Sequence, residues 1–129
     1  MMELWRLEHA LEPVPMAGWL ILKPLRHAES FAELTADEAA AFGPLLLRTT
    51  RAMTEVLSPA KVYVCLYAES ASAPHIHFHL IPRSPDLAPE RRGPAVFECM
   101  RQASEQGDQA DLALVERMVG AIRGRIQQP

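Results

Sequence analysis

Cysteine is scarce: Cys65 and Cys99 are the two in 129 residues, which excludes a scaffold stapled by disulfides. Cys65 stands in a strand-like apolar run, so it is expected to be buried as a small hydrophobe and not to react. A basic excess is also missing, with 13 Lys and Arg against 16 Asp and Glu and a net charge of −3. General nucleic-acid binders carry a basic footprint, so no nucleic-acid partner is expected. A single nucleotide stays open as a ligand, because a few local donors suffice for one phosphate. No apolar run is long enough to span a bilayer. Glu3, Arg6 and Glu8 interrupt any signal-peptide hydrophobic region. The expectation is therefore a cytoplasmic protein without a membrane partner. Repeats and low-complexity segments are absent too. What remains is one domain over residues 1–129, with 49% apolar and 22% charged residues, ordinary for a globular protein.

Histidine is present and unevenly placed. Three of the five fall in His75-Ile76-His77-Phe78-His79-Leu80-Ile81-Pro82-Arg83. Strict alternation with Ile and Phe predicts a half-buried strand. Side chains alternate across a strand, which puts His75, His77 and His79 on one face, with Ile76, Phe78 and Leu80 on the other, toward a core. Neighbouring imidazoles would stand roughly 6.5–7 Å apart at the backbone, within reach of one phosphate-sized group. Imidazole is poised near neutral pH between base or nucleophile and hydrogen-bond donor. Such a row offers one nucleophilic nitrogen flanked by donors to oxyanions. Two other readings of the residues stay open: histidines on a plain solvent face, or strand histidines converging on Zn²⁺.

Along the chain, Leu4 to Leu7 suits a short strand, and Pro13 and Pro15 break regular structure after it. Trp19 to Lys23 reads as a second strand closed by Pro24, with His27 in the following loop. Thr35-Ala36-Asp37-Glu38 is a capping-box pattern. It opens a helix to about Leu57, with Leu34, Phe42, Leu46, Thr49, Met53 and Val56 as its buried stripe. Pro44 is expected to kink that helix or split off its first turn. Lys61 to Tyr67 is β-branched and aromatic on both faces, predicting a central strand. With the small-residue loop 68–74 it forms an antiparallel hairpin with the histidine strand. Residues 84–94 read as a loop from their prolines and Gly93. Arg91 and Arg92 there form a basic pair, solvated or touching phosphate. Val96, Phe97 and Met100 start one helix, and Asp111 to Ile126 form another with Leu112, Val115, Val119 and Ile122 on one side. Trp5 and Trp19 are each either core or a surface for stacking a purine.

The nine-residue stretch resembles the histidine-triad superfamily signature, His-φ-His-φ-His-φ-φ with φ apolar, at every position. The likeness continues upstream in Gly18-Trp19-Leu20-Ile21-Leu22-Lys23-Pro24-Leu25-Arg26-His27, similar to a Gly-strand-Pro-x-x-His segment. It also takes in Phe31-x-x-Leu34-Thr35-x-x-Glu38, similar to the start of the family's helix. It spans residues 18–83, and residues 84–129 diverge. The resemblance implies an α+β fold, an antiparallel sheet of four or five strands with packed helices, in a homodimer. It also implies hydrolysis or transfer at the α-phosphate of a nucleotide, without cofactor or metal. His77 would be the nucleophile, forming a nucleotidyl-histidine, and one of its ring nitrogens would need an acceptor such as a backbone carbonyl. His79 would donate to phosphate oxygens. His75 and His27 would form a network fixing the ring of His77, and Ser72 would donate to the leaving group. The Pro82-Arg83 ending and the Glu29-Ser30-Phe31-x-Glu33-Leu34 segment resemble the dinucleoside-polyphosphate hydrolase branch more than the phosphoramidase branch. Against the family pattern, residues 67–74 lack an Asn and a Gly-Gln pair, and only 17 residues precede Gly18. Weaker phosphate contacts and a partial base pocket would follow. A nucleotide-binding relative without catalysis, or a metal-binding protein, is the alternative from another class.

Overall fold

The computed structural model describes residues 4–10, 16–69, 74–107 and 110–127. Among these, four strands form one antiparallel sheet: β1 (Trp5–His9), β2 (Leu20–Pro24), β3 (Lys61–Leu66) and β4 (Phe78–Arg83), in the order β1-β2-β4-β3. Three α-helices join them: α1 (Ala36–Leu57), α2 (Ala95–Glu105) and α3 (Leu112–Ile126). The α+β architecture is the expected one. No helix among the described residues is long and apolar enough to cross a membrane.

Thr35 and Glu38 start α1 with a reciprocal capping box. The Thr35 hydroxyl accepts from the Glu38 N–H at 3.1 Å, and the Thr35 N–H donates to Glu38 Oε1 at 2.7 Å. Leu45, Thr49, Ala52 and Met53 are buried along one side of the helix, at the three- and four-residue steps of a core-facing stripe. Pro44 lies on the exposed side, and α1 runs through it as one helix, so of the kink or split expected from sequence the split does not occur. On an exposed flank, only the bond to the Ala40 carbonyl is forfeited, and water can meet that oxygen.

Alternation along the strands divides the sheet into two faces. Trp5, Leu20, Leu22, Phe78 and Leu80 pack toward α1, with Ile122 and Ile126 of α3 completing that core. Trp19, Ile81 and Val96 form a second cluster on the opposite face, joined by Ile21, Tyr63, Phe97 and Met100. The second face is therefore covered by α2. It is also the face of His79, which pairs with Ile21 on one side and Cys65 on the other.

Two expectations are corrected. The Lys61–Leu66 segment is an edge strand, and Val64 is 44% exposed. Its two apolar faces serve two purposes: Val62 and Leu66 lean on the α1 core, while Tyr63 reaches the other cluster and its hydroxyl accepts from the Gly93 N–H at 2.8 Å. Leu112 is also exposed, at 64%; α3 seats itself by its C-terminal half, through Ile122 and Ile126.

Gly18 sets the approach to β2. Its φ of +97° is left-handed territory, and an added Cβ would stand 2.9 Å from Leu57 Cδ1 and 3.2 Å from Pro82 Cγ. Gly18→Ala is expected to destabilise the fold by about 1–3 kcal/mol in urea unfolding, from backbone strain plus the steric shift. A change within about 0.5 kcal/mol would show that the turn relaxes freely.

Candidate active site

β4 begins at Phe78, not at His75. His75 and Ile76 are held instead by the loop that follows β2. The Ile76 N–H donates to the Ala28 carbonyl at 2.8 Å, and the Ala28 N–H donates to His75 Nδ1 at 3.1 Å. His75 Nδ1 is thus an acceptor, so its proton sits on Nε2, which donates to the Pro24 carbonyl at 2.8 Å. Both ring nitrogens of His75 are spent on backbone. Neither is left to reach a bound phosphate, contrary to the picture of three imidazoles converging on one group.

His77 is oriented by the residue two before it. Its Nδ1 lies 3.0 Å from the His75 carbonyl oxygen, which can only accept. Nδ1 therefore carries the proton and Nε2 carries the lone pair. His79 is set the other way. The Trp19 indole N–H, a donor only, gives its hydrogen bond to His79 Nδ1 at 3.1 Å. In the neutral ring the proton is then on Nε2. The two rings are 4.9 Å apart, centre to centre, at 72°. Among the described residues nothing bonds to the His77 Nε2 lone pair or to the His79 Nε2–H.

His79 is boxed by aromatic edges, with Phe97 at 5.2 Å and Trp19 at 5.6 Å between ring centres. Burial, reinforced by charge on His77, holds its pKa down at about 4. It stays neutral through the physiological range and keeps its donor. Cys65 lies opposite it across the ladder, and burial pushes that thiol up, away from thiolate chemistry.

His27 stacks on His75, with ring centres 5.4 Å apart at 21°, and its Nε2 donates to Glu29 Oε2 at 3.0 Å. Its route to His77 runs through His75. Ser72 lies outside the described residues. Trp5 and Trp19 are both buried in the core, at 3% and 7% exposure. The role of Trp19 as the hydrogen-bond partner of His79, and that of Phe97 as a wall of the site, were not read from the sequence. The available signal was chemical: a buried indole N–H needs an acceptor, and His79 is one. Among the described residues no group of three His, Cys, Asp or Glu is arranged to hold a metal ion.

The depressed pKa of His79 carries a pH dependence. In the unfolded chain the ring titrates near 6.5, so the unfolded state takes up its proton first as pH falls from 6.5 toward 4. The folded state should lose up to about 2 kcal/mol between pH 7 and pH 5 from this residue alone. Urea unfolding at the two pH values checks it. A His79→Gln variant should lack most of that loss, and an equal loss in the variant would assign it to other groups.

No protein-family model matches the sequence, and no curated protein matches it. Solved structures do match in fold. A histidine triad protein from Bradyrhizobium japonicum superposes with a TM-score of 0.67 at 24% identity, covering 84% of this chain and 75% of that one. A hypothetical histidine triad nucleotide-binding protein from Sulfolobus tokodaii strain 7 gives 0.67 at 17% identity, covering 97% and 79%. A Hit-like protein involved in cell-cycle regulation from Bartonella henselae, solved with an unknown ligand, gives 0.65 at 14% identity, covering 94% and 79%. At these identities the likeness is one of architecture: the chain has the fold of the histidine-triad proteins.

Proposed function

We propose that this chain is a histidine-triad nucleotide hydrolase acting at an α-phosphate, with a dinucleoside polyphosphate the favoured substrate and a nucleoside phosphoramidate the alternative. The observation that carries the reading is the complementary pair of tautomers. His77 has Nδ1–H on a carbonyl and a bare Nε2, and His79 has Nδ1 on an indole and Nε2–H available. In this reading His77 Nε2 bonds to phosphorus as the bond to the leaving oxygen or nitrogen breaks. The positive charge left on the ring is met at Nδ1–H by the His75 carbonyl. His79 Nε2–H donates to a non-bridging phosphate oxygen as charge builds there. Water then attacks the nucleotidyl-histidine, releases the nucleoside monophosphate and restores the ring. His75 and His27 position His77, and Ser72 assists the leaving group. The reaction calls for no metal or cofactor, and the reading places it in the cytoplasm.

The fold and the free edge of β3 also support a homodimer in the same reading. Among the described residues nothing pairs with one side of the β3 backbone ladder, where Val64 and Leu47 are exposed beside each other. A bare edge of that kind pairs readily with a second copy. Sedimentation is expected to give twice the chain mass, and Val64→Lys to give monomer; a wild-type monomer would reject the pairing.

The test of the chemistry is incubation with diadenosine polyphosphate or adenosine 5′-phosphoramidate in the presence of a chelator. Wild type should release AMP and show an adenylylated intermediate after rapid quench. His77→Ala should lose turnover by at least about 10³-fold, as expected for a missing nucleophile. Tight AMP binding without product would instead favour a nucleotide-binding protein without catalysis. Activity that vanishes with chelator and returns with Zn²⁺ would favour a metal site.

A further inference from the structure

Arg26 immediately precedes His27, and its guanidinium reaches across to the start of α1. Nε donates to Glu38 Oε2 at 3.1 Å and Nη2 donates to Glu38 Oε1 at 2.8 Å, a bidentate pair. Nη2 also donates to the Glu33 carbonyl at 2.6 Å, and Nη1 reaches the His27 carbonyl at 3.5 Å. Glu38 is 3% exposed. The Arg26 guanidinium holds its carboxyl down at about 2, with the Thr35 N–H assisting. The Glu38 carboxylate therefore stays charged and bonded across the working range.

The capping box alone would start α1, because Thr35 and Glu38 satisfy each other there. Apart from Glu38, what Arg26 binds is backbone on either side of Ser30: Glu33 and His27. Two residues beyond Arg26, buried Ala28 makes both of its backbone bonds to the histidine segment, one to His75 Nδ1 and one to the Ile76 N–H. Pro24, two residues before Arg26, takes the His75 Nε2–H. Residues 24–28 thus grip His75 from both ends, and the middle of that span is pinned to a buried carboxylate.

We infer that the Arg26–Glu38 pair is a positioning element of the histidine site. By fixing the 24–28 loop it fixes His75, and through the His75 carbonyl it selects the His77 tautomer whose Nε2 is free. Arg26 and Glu38 touch no reacting atom in this scheme; they act through Ala28, His75 and the backbone. The consequence for turnover rests on the hydrolase reading above. The consequence for the tautomer does not.

The experiment is long-range ¹⁵N–¹H spectroscopy of the imidazoles in wild type, Arg26→Met, Arg26→Lys and Thr35→Ala, with kinetics alongside. Wild type should show His77 as the Nδ1–H tautomer and His75 as Nε2–H. In Arg26→Met the His77 signals should move toward a tautomer mixture. Turnover should fall roughly 10- to 100-fold with KM changed less than about threefold, the mark of a misaligned group and not of lost binding. Arg26→Lys, a point charge without the fork, should restore part of both. Thr35→Ala weakens the helix start but leaves the ion pair, so it should lower the melting temperature without moving the His77 signals. An unchanged His77 tautomer in Arg26→Met overturns the inference, as does an equal shift in Thr35→Ala. If wild type turns over no nucleotide, the hydrolase reading fails, while the spectra still decide the role of Arg26.

Discussion

The hydrogen bond between His77 Nδ1 and the His75 carbonyl, at 3.0 Å, is the constraint on which the site depends. A neutral imidazole has two tautomers of similar energy, and only one leaves Nε2 bare. A carbonyl cannot donate, so its position alone decides between them. A net bond worth about 1 kcal/mol already favours one tautomer several-fold, and partial burial raises the cost of the wrong one. The carbonyl is available because of where β4 starts. β4 is a central strand, flanked by β2 and β3. Had its ladder begun at His75, that oxygen would have been claimed by a neighbouring strand. The late start frees it, and the loop after β2 takes over the work of holding His75 in place.

His79 solves the opposite problem with an opposite partner. A donor-only indole on Nδ1 leaves the proton on Nε2. Burial against Phe97 and Trp19 keeps the ring neutral. In the proposed mechanism that neutrality matters electrostatically: a charged His79 beside His77 would make it harder for His77 to carry the positive charge that attack on phosphorus would create. The aromatic box therefore does two things at once. It orients the donor, and it removes a competing cation.

Much of the fold was legible because it rests on local signals. The capping box at Thr35 and Glu38 marks the start of α1, and the apolar stripe carries the helix to Leu57 despite Pro44. Alternation of Phe78, His79 and Leu80 correctly puts Phe78 and Leu80 on the α1 core face and His79 on the other. What was not legible is relational. Period-two alternation does not stop at His77, so nothing in the sequence tells that the ladder starts at Phe78 while the residues before it bond to a loop. An apolar strand such as Lys61–Leu66 reads as central, because sequence does not show which strand lies beside which. Trp19 reads as core, and it is core; its second role depends on a ring sixty positions away. Arg26 and Glu38 each make local sense, and their pairing is a tertiary fact.

The division of β4 into two faces explains how one short strand serves both the core and the histidine cluster. Phe78 and Leu80 are buried against α1, and the Phe78 ring meets Phe42 at 4.6 Å and Trp5 at 6.2 Å between centres. Side chains locked in this way fix the backbone between them, because a close-packed interior yields little to displacement. The Cα of His79 is therefore held by its neighbours, while its ring is held by Trp19 and Phe97 on the other face. His77 sits one step before the ladder and lacks the first kind of support from β-pairing. Its backbone is instead braced on one side by Phe78 and on the other by Ile76, which is fully buried and bonded to Ala28. The structure thus surrounds His77 with fixed points in place of a ladder, as the nucleophile of the proposed mechanism would require. Those fixed points lead back through the 24–28 loop to the buried Glu38 carboxylate at the start of α1.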